Sequence, residues 1–286
     1  MKVEVNEVRL FFDVEGAKFV ADGKVMREKP TLLLLHGGPG FDHSTFKPAF
    51  SQYADIAQIV YLDHRGNGRS DRGPQNRWTL AQWGNDLFEF CRALDIEQPI
   101  VMGQSFGGMV AMAYATQHPD HPAKLILSST AASMRRHVER SIALFGAKGG
   151  PAIAAMARRA LTQGYDSQEF AMQWLAQAMP FYNTRPAADP FMSARAVMNT
   201  TVLLHFLGPG GEGLKFDLHA DLARIRCPTL VLGGVEDPMT PIECQQDIAA
   251  AIQPQWVRFV SVADAGHGAF RDQPSAFDTL REFILG

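Results

Sequence analysis

The chain has 286 residues, 46% of them hydrophobic and 20% charged, and a formal net charge of −3. That length admits one large domain or two modest ones, and that composition can bury a sizeable globular core. The near-neutral balance excludes a basic nucleic-acid face and gives no reason to expect a polyanionic substrate.

The opening stretch, MKVEVNEVRLFFDVEG, alternates apolar and charged residues and lacks the apolar run and cleavage site of a signal peptide. No run of about 18 apolar residues occurs, so no membrane span is expected. Cys91, Cys227 and Cys244 are odd in number and widely spaced, with no CxxC pair. They are expected to be reduced thiols rather than a disulfide set or a metal site, which makes the cytoplasm the expected compartment.

In chain order, residues 3–12 and roughly 17–26 are predicted to form a β-hairpin pair, with Gly16 and Asp22-Gly23 at the turns. Residues 31–35 (TLLLL) and 56–62 (IAQIVYL) are unbroken apolar runs, as suits strands covered on both faces. Between Leu80 and Leu94 apolar residues recur at three- and four-residue steps, which predicts a helix. A strand at 99–102 runs into GQSFGG and a helix at 109–117, and KLIL at 124–127 makes a further strand. Such alternation predicts a doubly wound, mostly parallel α/β sheet.

The alternation stops at Ser128. Residues 133–219 contain no strand-like run, only helical stretches at 138–147, 152–161, 168–179 and 191–206. They are expected to form a helical insertion, with 1–132 and 220–286 as the core. The strand–helix pattern resumes with 229–232, 242–252, 257–262 and 277–285.

Gly103-Gln104-Ser105-Phe106-Gly107 has the G-x-S-x-G form between a buried strand and a helix. A serine lifted above a sheet on so sharp a turn needs small residues two before and two after it. A free serine is a poor nucleophile and requires a base oriented by a carboxylate. Of nine histidines, His267, in DAGHGAF after the last strand, can face Ser105 from a strand's C-terminal end. Asp237, in GGVEDPMTP after the 229–232 strand, is the expected acid, ahead of Glu236 and Asp264. An oxyanion needs donors: the N–H of Phe106 and, from the loop His36-Gly37-Gly38-Pro39-Gly40, that of Gly38, with Gly37 second.

Taken together, HGGPG (36–40), DHRGNGRSD (63–71), GQSFGG (103–108), GGVEDPMTP (233–241) and AGH (265–267) resemble the α/β-hydrolase superfamily, most closely its prolyl-iminopeptidase-like branch. The resemblance implies an α/β-hydrolase fold in which 133–219 is a cap that roofs the site and selects substrate. It also implies that His64 and Arg65 are structural. The branch's peptidases usually carry GGSWG where this chain has GQSFG, and hold the substrate ammonium with glutamates from the cap. Here 133–219 offers only Glu139, Asp166, Glu169, Asp189, Glu212 and Asp217, against seven arginines and two lysines. Its helix AMQWLAQAMPFYN has no acid, and an ammonium buried without a carboxylate is costly. The segment is instead apolar and aromatic, and Trp174, Phe181 and Gly37 are the candidate substrate contacts.

The expected activity is acyl transfer by Ser105, His267 and Asp237 on a small, partly apolar ester or amide, with no metal or organic cofactor required. A small molecule is the only partner expected, with neither nucleic acid nor membrane involved. A proline iminopeptidase or a lactonase would use the same residues, as would carbon–carbon bond cleavage or cofactor-free oxidation. A non-catalytic small-molecule receptor would not need them.

Overall fold

A computed structural model describes residues 1–187 and 189–286. Lys2–Val5 (β1) and Val8–Glu15 (β2) pair antiparallel across a turn at Asn6 and Glu7, both with positive φ. Phe19–Asp22 (β3) and Val25–Glu28 (β4) form a second hairpin that turns at Gly23 and stands apart as a two-stranded sheet. The first hairpin therefore turns at Asn6 rather than at Gly16. A tight turn with two positive φ values accepts Asn readily, and Gly16 instead lies against the backbone of Ala54 and Ala57.

Thr31–Leu35 (β5), Gln58–Leu62 (β6), Ile100–Gln104 (β7), Lys124–Ser128 (β8), Thr229–Gly234 (β9) and Val257–Val262 (β10) complete an eight-stranded sheet. Its order is β1-β2-β6-β5-β7-β8-β9-β10, parallel from β6 through β10. The unbroken apolar strands feed two cores by alternation. Leu33, Leu35, Val101 and Leu125 face Leu80–Ala93 (α1) and Phe106–Gln117 (α2). Leu32, Leu34, Met102 and Ile126 face the opposite core, closed by Phe46, Phe50 and the final helix. α2 is buried from Phe106 through Thr116, which explains why its sequence, FGGMVAMAYAT, shows no polar face.

Between β8 and β9 lie Val138–Thr162 (α3), Gln168–Gln177 (α4) and Thr200–Leu207 (α5), with no strand among the described residues. α3 spans both of the first two predicted stretches and kinks at Gly150-Pro151. The predicted helix at 191–206 is realised only from Thr200; ahead of it a single 3₁₀ turn spans Ser193–Arg195. These helices share a core of their own around Phe145, Phe170 and Trp174. Ile242–Ala251 (α6), Ala269–Asp272 (α7) and Ser275–Leu285 (α8) finish the chain. All three cysteines are buried and free. Among the described residues no helix is long and apolar enough to cross a membrane.

Candidate active site

β5 and β7 are neighbours, with β6 leaving to one side and β8 to the other. The crevice above the C-terminal ends of such strands is where ligands enter doubly wound sheets. Here it holds a cavity of about 750 Å³ whose lining includes Gly37, Gly38, Ser105 and His267.

β7 ends at Gln104 and α2 begins at Phe106, so Ser105 makes the turn alone, at φ 54° and ψ −120°. A non-glycine residue there costs about 1–3 kcal/mol, which the surroundings must offset. The Ser105 N–H donates to Ser128 O at 3.0 Å. Its carbonyl accepts from Thr130 Oγ1 at 2.7 Å and from Gly108 N at 2.9 Å. The flanking glycines are required by contact: a Cβ on Gly107 would lie 2.1 Å from Leu35 O, and one on Gly103 2.2 Å from Gly107 O. Phe106 is the first residue of α2, so its N–H belongs to the first-turn donors without a partner inside the helix. A Cβ built on Gly37 would lie 3.5 Å from Ser105 Cβ, so the β5 loop passes directly beside the serine. Gly38 follows at φ 129°, where a side chain would press on Gly40 N.

His267 is almost fully buried, and its Nδ1 lies 2.8 Å from Oδ2 of the fully buried Asp237. A carboxylate can only accept, so Nδ1 carries a proton, and in the neutral imidazole that leaves Nε2 as the acceptor. Asp237 is itself held by Met239 N at 2.8 Å, Thr240 N at 3.0 Å and Thr240 Oγ1 at 2.7 Å. Glu236 and Asp264, the other acids weighed, are exposed. Asp237, after β9, thus pairs with His267, after β10, and His267 shares one cavity with Ser105, after β7, and with Gly37 and Gly38, after β5.

Trp174 lines the cavity and donates from Nε1 to Tyr182 Oη at 2.9 Å. The ring of Phe181 sits instead against Gly149 of α3. Its neighbour Tyr182 is the residue on the cavity, with its ring 5.2 Å from that of His267. Phe181 is corrected to a packing residue. Met179–Tyr182 is a 3₁₀ turn, in which the 3.6-residue spacing of a helix no longer selects the inward side chain. Burial pushes the Tyr182 phenol above its ordinary range, so it stays protonated.

Asp189 is the one carboxylate of 133–219 in the described lining, and it pairs with Arg195. Lys47, also in the lining, is bound to Asp13 and Glu15. Arg65 lies off the cavity, in a buried pair with Asp86 whose Nε–Oδ2 distance is 2.6 Å. His36 and His64 are fully enclosed beside the site, and burial lowers both below the usual imidazole range. One group of side chains, Asp42, His43 and Asp63, has the donor set and spacing for a metal ion. Its carboxylates are already occupied: Asp63 by His43 Nδ1 at 2.7 Å and Arg69 N at 2.8 Å, and Asp42 by Ser44 and Arg69. The group reads as a buttress under the β6 loop.

The profile of the alpha/beta hydrolase fold matches residues 30–151 and 130–274. A proline iminopeptidase of Levilactobacillus brevis is 30% identical over 287 residues, spanning 96% of this chain and 94% of that one. A proline iminopeptidase structure from Mycobacterium smegmatis superposes with a TM-score of 0.76 at 23% identity, over 99% of this chain and 97% of the other. An esterase structure from Exiguobacterium antarcticum does so at 0.74 and 18% identity, over 100% and 99%. At such identities the two structures speak to the fold alone.

Proposed function

The chain belongs to the α/β-hydrolase fold family, in its prolyl-iminopeptidase-like branch, and from that premise we propose that it cleaves a carboxylic ester or amide of a small, partly apolar substrate through an acyl-enzyme. The observation that carries this reading is the pairing of Ser105 and His267 on one cavity, with His267 Nδ1 bonded to the buried Asp237. Ser105 Oγ attacks the carbonyl carbon while His267 Nε2 takes its proton. The negative charge that develops on the carbonyl oxygen is met by the N–H groups of Phe106 and Gly38. Collapse of the tetrahedral species expels the alcohol or amine, which leaves with the proton from His267. A water then attacks the acyl-enzyme by the same route and releases the acid.

Segment 133–219 acts as the cap over this site. Trp174, Leu175, Met179 and Tyr182 from that segment, with Phe46 and Phe50 from the core, give the cavity an apolar lining suited to an acyl chain or an aromatic leaving group. A peptidase reading needs an unpaired carboxylate for a free ammonium. The cap's Asp189 is already engaged by Arg195, which favours the ester. Rates on p-nitrophenyl esters of rising acyl length, on lactones and on proline-p-nitroanilide test this. The expected profile peaks at a medium acyl chain. Turnover confined to proline-p-nitroanilide would overturn the ester reading.

A further inference from the structure

We infer that Asp272 is a positioning residue for His267, acting by lacing the cap segment at 182–185 to the loop that carries the base. The inference rests on the assignment of His267 as general base.

Asp272 is fully buried on α7 and forms no ion pair among the described residues. Its oxygens are instead taken up by backbone donors. Oδ2 accepts from Gly266 N at 2.8 Å and from Thr184 N at 2.8 Å, and Oδ1 from Arg185 N at 3.3 Å. Gly266 immediately precedes the base. The next two amides of the loop are bound to the same cap segment: His267 N to Tyr182 O at 2.8 Å, and Gly268 N to Asn183 Oδ1 at 2.7 Å. Three consecutive N–H groups around the imidazole therefore end either on the cap or on the carboxylate that holds the cap. Thr184 Oγ1, donating to Asp264 O at 2.8 Å, and Arg271, donating to Arg185 O at 2.8 Å, close the lacing at its edges.

A buried charge is tolerable only where hydrogen bonds replace water, and N–H bonds to a carboxylate are stronger than those to a neutral acceptor. Asp272 meets that condition with donors from both sides of the seam, which a neutral side chain with a single acceptor could do only in part. Asp237 fixes the imidazole through Nδ1. Asp272 fixes the backbone from which the imidazole projects. Tyr182, Asn183 and Gly268 also line the cavity, so the wall that meets the substrate and the loop that carries the base share one anchor.

The test uses Asp272→Ala, Asp272→Asn and a remote core truncation, Leu87→Ala on α1, each assayed where circular dichroism shows it folded. Asp272→Ala is expected to lower kcat on p-nitrophenyl butyrate by roughly tenfold to a hundredfold while KM moves by less than about threefold, as for a displaced catalytic group. Asp272→Asn keeps one oxygen for Gly266 and Thr184 and is expected to recover to within about fivefold of wild type. Leu87→Ala is expected to lower the melting temperature without changing kcat. Amide exchange at 265–268 and at 182–186 is expected to quicken together in Asp272→Ala, with α1 unchanged. This readout does not require turnover, so it stands even where Ser105 is shown not to be the nucleophile. A folded Asp272→Ala enzyme with wild-type kcat, an Asp272→Asn no better than Asp272→Ala, or exchange unchanged at both segments would overturn the inference.

Discussion

Thr240 holds Asp237 from two directions: its amide donates to Oδ1 at 3.0 Å and its hydroxyl to Oδ2 at 2.7 Å, the oxygen that faces His267 Nδ1. Since that oxygen is shared between hydroxyl and imidazole, Thr240 sets which carboxylate edge the base meets. Asp237→Asn is expected to lower kcat by about 10³- to 10⁴-fold, because an amide can present the wrong group to Nδ1. Thr240→Val is expected to lower it by only about three- to tenfold. Glu236→Gln, at an exposed position, should stay near wild type. Steady-state kinetics on the three variants decide; a crippled Glu236→Gln beside a healthy Asp237→Asn would move the acid.

Groups that act as one unit are strongly non-additive. Ser105→Ala and His267→Ala are each expected to lower kcat by roughly 10⁴- to 10⁶-fold, and the double variant no further. The check is residual turnover of p-nitrophenyl butyrate by all three proteins at equal concentration. Losses that multiply in the double variant would mean that the two residues work independently.

The core of this site was legible because its constraints are local. Gly103 and Gly107 must be glycine for the backbone contacts of the turn, so the serine elbow shows in the sequence as a spacing. Likewise, the glycines of 36–40 mark a loop that must pass close to the serine, and the unbroken apolar strands mark a sheet covered on both faces. Tyr182, Thr240 and Asp272 were missed because nothing local distinguishes them. The 3₁₀ turn at Met179–Tyr182 breaks the helical period, so no spacing singles out Tyr182 beside Phe181, and Asp272 depends on Thr184 and Arg185, distant in the chain. The Asp189–Arg195 pair at the cavity was equally hidden, since a charge count cannot tell which acid points inward.

Enclosure of His64 holds its imidazole well below the usual range, with neighbouring His36 adding to the effect and Asp63 opposing it; burial lowers His36 as well. Unfolded, both bind a proton near their ordinary value of 6.5, while folded they stay neutral to lower pH. In that window the unfolded chain holds more protons, so stability rises with pH, is fully present above about 6.5 and is lost as the pH falls below it. Melting temperatures measured from about pH 7 down to about pH 5 should therefore fall, and less steeply for His64→Leu than for wild type. Equal slopes would show that His64 protonates as readily folded as unfolded.

Specificity follows from charge. A desolvated carboxylate–ammonium contact contributes on the order of 2–5 kcal/mol when one partner is removed, enough to dominate kcat/KM. The carboxylate that residues 133–219 bring to the described lining, Asp189, is paired with Arg195. Accordingly, kcat/KM for p-nitrophenyl butyrate should exceed that for proline-p-nitroanilide, and N-acetylation of the proline should cost little. A tenfold or greater advantage of the free-amine proline substrate over both others would establish a peptidase.

Covalent capture of the nucleophile tests the central claim most directly. A fluorophosphonate reacts with a serine whose proton a neighbouring base takes as it attacks, the role proposed for Ser105, at its strained turn, and His267 on the same cavity. Intact-mass and peptide mapping should find one adduct, on Ser105, absent from Ser105→Ala and formed far more slowly in His267→Ala. An adduct on another residue, or labelling that persists in Ser105→Ala, would contradict the account.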